Sequence, residues 1–427
     1  MLSKIRKNYH WVIAAMALLQ LLIYGGAVNN YSGYHMIPVT EALGITRTDF
    51  ALTNSLRACM SVFSTLISGV LIRRFGYRKV ASVGMLLATL AYVVYTTMHS
   101  FGMLLVGAVL MGLASGVCAT SGVSRLLNGW FHKYRGTVLG IVTAATGVGS
   151  TLLGFIQAAA IERVSWRLSF MIVAGLQLGL AVLIYALVRN TPEDVGLRPY
   201  GDGETDSKQK KTAAVRWPGF SMAQLKRRPA FYLMILCAFL SCCCVLATQY
   251  NLVPYFQDCG MSVTRTSKIY GTMMLLLGVV KLGMGALCDA IGARRVTLLC
   301  HIACAGGLAL VMTLPQTDGA MIGALILYDL CIPLTTMMFP LLSMELFGYK
   351  AQSQYIGVIM SMTSASNILS GPLANWVRDT QGSYRPVFWG GVILSLALIG
   401  LYNLLYLMVR GDKRKLEQSS GEDMTEK

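Results

Sequence analysis

The sequence predicts an all-α polytopic membrane protein, with 12 transmembrane helices in two pseudo-symmetric six-helix bundles. Three observations predict it. Of 427 residues, 55% are hydrophobic and only 13% charged, with a mean hydropathy of +0.58. Soluble globular chains of this size do not have that balance. Apolar runs close to ~20 residues recur along the chain, each long enough to cross a ~30 Å hydrocarbon core. Finally, the two halves of the chain match each other in one register.

The spans fall at roughly 11–37, 51–72, 80–98, 103–125, 136–160 and 167–188, then at 230–256, 265–288, 296–314, 320–344, 352–377 and 386–409. The first apolar run, from Trp11, is too long for a signal-peptide core and lacks a small-residue cleavage site, so it is expected to remain as a helix. Between the sixth and seventh spans the pattern breaks. Segment 189–229 is polar, carries Pro192, Pro199 and Pro218, and holds the basic run Lys208 to Lys211. It reads as a linker. The expected domains are a bundle at 1–188, a linker at 189–229, a bundle at 230–410 and a charged, disordered tail at 411–427.

A net charge of +17 would suggest nucleic acid in a soluble protein. Here 26 of the 36 lysines and arginines fall in the termini and the loops on one side. By the positive-inside rule that side is the cytoplasm, and both termini lie there. The expectation is a multi-pass, monomeric protein of a cell membrane, the cytoplasmic membrane of a prokaryote, with the lipid bilayer and no nucleic acid as its surroundings. The eleven cysteines lie mostly in apolar runs, including Cys242, Cys243 and Cys244, without zinc-like spacing. There is no phosphate-binding loop, metal cluster or nucleophile elbow. Enzyme chemistry, cofactors and direct use of ATP are not expected.

The repeat is specific. A shift of 216 places Tyr34 on Tyr250, Pro38 on Pro254, Gly44 on Gly260 and Thr48 on Thr264. The same shift places Gly69 on Gly285, Gly76 on Gly292 and Arg78 on Arg294. Equivalent spans run in the same direction, so the repeat is parallel. Binding then belongs between the halves, near the midplane.

Loops Gly69–Lys79 (GVLIRRFGYRK) and Gly285–Arg295 (GALCDAIGARR) resemble the signature G-x-x-x-D-x-x-G-x-R-R of the major facilitator superfamily. Three stretches are similar to its oxalate/formate antiporter and monocarboxylate transporter branch: Tyr24–Pro38, Trp130–Ser150 and Trp166–Phe170. The resemblance implies a secondary transporter of a small organic anion. In that branch a span-8 cation, followed four residues later by glycine, meets the substrate carboxylate. Lys281 with Gly285 fits that pattern, with lysine where arginine is usual. Span 1 and span 7 tyrosines, here Tyr31 and Tyr250, are implied to wall the site. The signature residues Gly69, Arg73, Gly76, Arg78, Gly285, Asp289, Gly292, Arg294 and Arg295 are implied to be conformational. Asp289, Arg294 and Arg295 fit a latch between the halves. The chain departs in three places: Arg73 stands where the signature has aspartate, span 11 lacks the oxalate exchanger's lysine, and span 1 lacks the monocarboxylate carriers' lysine. One deep cation suits a monoanion better than a dianion.

The residues themselves carry the chemistry. Gly271, Met274, Gly278, Lys281, Gly285 and Cys288 form one narrow helical stripe of mostly small residues, the kind of face that lets helices approach closely in lipid. Lys281 lies about 12 Å of helix rise from Asp289, near mid-membrane. A cation there costs at least ~2.5–3.5 kcal/mol and is functional, held in a structural ion pair, or snorkels to the cytoplasmic headgroups. Asp329 lies about 15 Å into the tenth span. Burial drives a carboxylate to take up a proton, whereas a nearby ammonium holds it charged. Asp329 is therefore Lys281's counter-ion, a proton carrier, or a neutral acid. Arg57 lies about 24 Å from Arg73, within snorkelling reach of the outer headgroups, or acts as a second anion contact. Asn30 and Tyr31 in span 1, Tyr250 in span 7 and Asn367 in span 11 either bond across helices or line the vestibule. The leading expectation is a secondary carrier of a monocarboxylate, by proton symport or anion exchange. The alternatives are proton-driven efflux of lipophilic compounds and a sensor that binds without transporting.

Overall fold

The computed structural model describes residues 9–201, 219–314, 317–336, 338–348 and 350–425. The side chains at 135–136, 282, 285–286, 289, 352–354, 364 and 412–425 lie outside that description. The basic run of the linker and the side-chain positions of Gly285 and Asp289 therefore fall outside the described residues.

The chain is nearly all helical, and among the described residues the one β-type pairing is an isolated bridge between Phe131 and Tyr200. In order, the helices are α1 (Tyr9–Gln20), α2 (Gly26–Leu43), α3 (Arg47–Phe75), α4 (Tyr77–Thr97), α5 (Phe101–Cys118) and α6 (Thr120–Trp130). There follow α7 (Arg135–Arg163), α8 (Trp166–Leu187), α9 (Met222–Lys226), α10 (Pro229–Gln249) and α11 (Leu252–Asp258). The last six are α12 (Val263–Ile291), α13 (Ala293–Thr313), α14 (Asp318–Asp329), α15 (Met338–Phe347), α16 (Gln352–Gln381) and α17 (Arg385–Thr425). Among the described residues ten segments are long and apolar enough to cross a membrane. Helices α12 and α16, of 29 and 30 residues, supply the remaining two spans.

The repeat read in the sequence reappears in the backbone. Helices α3 and α12 both have 29 residues, and α4 and α13 both have 21, with every boundary offset by 216. The matched glycines also share a conformation. Gly76 (φ 81°, ψ 153°) and Gly292 (φ 87°, ψ 147°) turn the chain between the second and third helices of each half. That region is essentially closed to residues with a Cβ, so both loops demand glycine.

Among the described residues four spans are not regular, unbroken α-helices. A π-turn at Leu21–Gly25 joins α1 to α2, and Ala119 separates α5 from α6. Prolines account for the other two. Pro254 and Pro333 each remove a donor and crowd the carbonyl four residues back, at Tyr250 and at Asp329. Helix α10 ends at Gln249, and α14 ends at Asp329 before a 3-10 turn, Ile332–Thr335, leads to α15.

Small residues set the closest helix approaches, as expected where lipid removes the usual hydrophobic drive. A Cβ on Gly26 would stand 2.5 Å from the carbonyl carbon of Gly149, and one on Gly149 would stand 1.9 Å from the Leu22 oxygen. Span 1 and α7 therefore touch backbone to backbone. Large side chains such as Leu66, Val182, Ile393 and Leu407 point outward, as a lipid-facing surface requires.

The chain divides into two compact units. One draws on Met1–Lys211, Tyr250–Val279 and Gly371–Tyr384, the other on Thr212–Gln249, Val280–Ser370 and Arg385–Lys427. The first unit has an aromatic core in which Tyr31, Tyr92, Tyr95 and Phe170 pack ring against ring, with Trp130 fully buried near its far end.

Candidate functional site

Helix α12 presents its small-residue stripe to α7 within the first unit. The Gly271 carbonyl accepts a bond from Thr151 Oγ1 at 2.8 Å, a Cβ on Gly147 would stand 2.5 Å from the Met274 oxygen, and one on Gly278 would lie 3.9 Å from Ala144. Lys281 is the next position of the stripe and belongs to the second unit. It is partly buried, about 15 Å of rise from the end of α12 at Ile291.

Asp329, in the same unit, is fully buried at the last position of α14. Neither carboxylate oxygen has a hydrogen-bond partner among the described residues. Asp329 and Lys281 act on each other electrostatically. The break imposed by Pro333 matters here. A helix C-terminus carries the negative pole of the macrodipole, so an ionised Asp329 depends on the ammonium or gives way to a proton. Its neighbour Tyr328 is anchored, with its hydroxyl 2.7 Å from Thr248 Oγ1 and bonded to the Val245 carbonyl at 2.9 Å.

A profile of the Major Facilitator Superfamily matches residues 16–371. The chain belongs to the Major Facilitator Superfamily. Monocarboxylate transporter 12 of Mus musculus is 22% identical over 431 residues, covering 94% of this chain and 87% of that protein. The membrane sensor protein UhpC of Salmonella typhimurium is 28% identical over 176 residues, 40% of this chain and 39% of that one. Among solved structures, the nucleoside transporter NupG superposes with a TM-score of 0.75 at 12% identity, covering 93% of this chain and all of that one. The protein is thus a major facilitator transporter, and its relatives include the monocarboxylate transporters that its motifs resemble.

The remaining candidates of this superfamily member are distributed as follows. Tyr31 stacks on Phe50 at 5.2 Å and on Tyr95 at 5.1 Å, nearly fully buried in the first unit, with its hydroxyl facing Thr53 and Tyr95. Asn30 donates to the Ser150 carbonyl at 2.8 Å, tying span 1 to α7. Arg57 belongs to the same unit. Its Nε is buried without a hydrogen bond among the described residues, and its charge acts on Tyr31 and Tyr95. Tyr250 sits at the break between α10 and α11, and Asn367 on α16; both are partly buried.

The signature arginines are docked inside their own halves. Arg78 stacks on Tyr185 at 4.4 Å and Arg294 on Tyr406 at 3.7 Å. Arg294 also donates to Asn403 Oδ1 at 2.8 Å. Gly69 lies beneath the Arg125 guanidinium, which bonds Ser68 and the Thr65 carbonyl and so ties span 4 to α3. Arg73 and Arg295 are exposed.

At the opposite end of these helices is a cluster that sequence reasoning missed. Asp258, ending α11, pairs with Arg47 at 2.7 Å and with Arg378 at 3.3 Å. Tyr384 closes the group, 3.4 Å from Arg47, and burial pushes its phenol up to about 12, so it stays neutral at physiological pH. Two helix starts beside it are capped from afar. Asp379 accepts from the backbone and hydroxyl of Thr48 at 2.9 and 2.6 Å, and Glu162 accepts the same two bonds from Thr264. The signal was present in the repeat, which sets Thr48 on Thr264.

Proposed function

We propose that this transporter carries a small organic anion, a monocarboxylate, by alternating access of two six-helix bundles. Lys281 is the seat of the substrate carboxylate and Asp329 the proton carrier. One observation supports this best: a fully buried carboxylate without hydrogen bonds among the described residues, electrostatically coupled to an ammonium at mid-span depth. In the empty carrier the two charges compensate. An arriving carboxylate competes for Lys281, and Asp329, left at a helix C-terminus, takes up a proton. Anion and proton then cross together. Anion exchange would use the same seat with Asp329 kept as counter-ion.

In this reading Arg57, Tyr31, Asn30, Tyr250 and Asn367 complete the substrate surface, and the two signature loops guide the movement. The chain acts as a monomer with both termini in the cytoplasm. The name of the murine relative supports the substrate class. The absence of a second lysine in span 11 favours a monoanion over oxalate. A sensor role is the second reading, because one relative is a membrane sensor, though it aligns over only 40% of this chain.

Uptake of labelled formate, lactate, pyruvate, oxalate and malate into proteoliposomes, with and without a pH gradient, tests the proposal. Monocarboxylate uptake should follow an inward proton gradient. Lys281→Ala should lower it about 10- to 100-fold, the equivalent of one charge-assisted hydrogen bond of ~1.5–3 kcal/mol. Asp329→Asn should remove the pH response. Wild-type uptake that ignores pH and is unaltered in Asp329→Asn would refute symport. Binding without uptake of any of the five would favour the sensor.

A further inference from the structure

The first unit carries a trough on an exposed apolar surface that shares no residue with the candidate site. Helix α4 packs along α8, and between them lies an open cavity of about 420 Å³. Lys79 stands at one end, with Val83 and Leu86 from α4 and Val182 and Tyr185 from α8 forming the walls. Positions 79, 82, 83 and 86 follow helical spacing, so the trough runs about 10 Å along the helix from the lysine. Its walls are exposed, Val83 at 55% and Val182 at 62%.

The charges at its mouth are unequal. Arg78 is engaged, with its guanidinium over the Tyr185 ring and its Nε donating to the Tyr185 carbonyl at 2.5 Å. Lys79 is exposed and makes no ion pair or hydrogen bond among the described residues. An apolar trough with an unpaired ammonium at its mouth and a tyrosine ring at headgroup depth fits an amphiphile with an anionic head. The second unit has a comparable cavity of about 360 Å³, lined by residues such as Leu287, Leu299, Ile302, Leu327 and Leu330, with no cation in its lining.

We propose that the α4–α8 trough is a binding site for one anionic phospholipid, its phosphate on Lys79 and an acyl chain along Val83 and Val182. Basic pockets between transmembrane helices hold anionic headgroups, and each lysine near such a surface contributes ~1 kcal/mol. The second trough takes acyl chains without regard to headgroup. The site is independent of Lys281 and Asp329.

Native mass spectrometry of the full-length protein, titrated with dioleoyl phosphatidylglycerol or dioleoyl phosphatidylcholine, tests this. Wild type should bind one phosphatidylglycerol in preference to phosphatidylcholine. Lys79→Gln should weaken that step about fivefold, the factor that ~1 kcal/mol converts to. Val83→Trp fills the trough from a position that is 55% exposed and should remove the preference. Leu299→Trp, in the other trough, should leave it intact. The proposal is overturned if wild type shows no headgroup preference, or if Lys79→Gln binds phosphatidylglycerol as wild type does. It is overturned equally if inorganic phosphate at the same concentration displaces the lipid, since the trough would then contribute nothing.

Discussion

Asp258→Asn is the most informative single substitution at the end of the helices where α3 begins. The side chain keeps its shape and loses the charge that holds Arg47 and Arg378. Its pair with Arg47 is bidentate, at 2.7 and 2.8 Å, and the two side chains retain 12% and 24% exposure. Fully exposed pairs contribute ~0–1 kcal/mol and breaking buried ones costs ~3–5 kcal/mol. An intermediate ~2 kcal/mol shifts a two-state equilibrium about 30-fold. If the carrier alternates, these ends must separate, and the substitution should favour the separated state by that factor. Ala51, 1% exposed on α3 and 3.7 Å from where a Cβ on Gly371 would lie, is the reporter. Ala51→Cys, in a background with Cys59 and Cys259 replaced by serine, is alkylated by an impermeant maleimide. The rate should rise about 10- to 30-fold on adding Asp258→Asn. Arg47→Gln should do the same, and the double variant should add little, because both remove one interaction. An unchanged rate, or increments that simply add, would refute the coupling.

Three further outcomes follow from the packing. Gly149→Ala should lower the melting temperature sharply or prevent assembly, because its Cβ meets the Leu22 carbonyl, whereas Gly140→Ala, with nothing within 4 Å, should be nearly neutral. Tyr328→Phe removes the bonds to Thr248 and the Val245 carbonyl, which keep the Thr248 bonds inside α10, and should cost ~0.5–1.5 kcal/mol, read as a lower unfolding midpoint. Asp379→Asn weakens the cap on Thr48 without removing its acceptor oxygen. It should cost less than Asp379→Ala, which leaves two donors without partners and should cost ~1 kcal/mol in the same denaturation assay.

The twelve spans and the parallel repeat were legible because hydropathy and residue identity carry them directly. The breaks were not. A hydropathy window reads 230–256 and 320–344 as continuous, since Pro254 and Pro333 are no more polar than their surroundings. Counting four residues back from each proline places the interruptions at Tyr250 and Asp329. Lys281 and Asp329 were legible as ionisable groups in apolar runs, and depth alone suggested their pairing. The cluster of Arg47, Asp258 and Arg378 joins residues 211 and 120 positions apart. No local pattern reports such a pairing.

The two distant caps answer each other across the repeat. Thr48 of the first half is held by Asp379 of the second, and Thr264 of the second by Glu162 of the first. Shifted by 216, Asp379 falls on position 163, one residue from Glu162. The repeat therefore extends beyond matched single positions to a matched pair of long-range contacts.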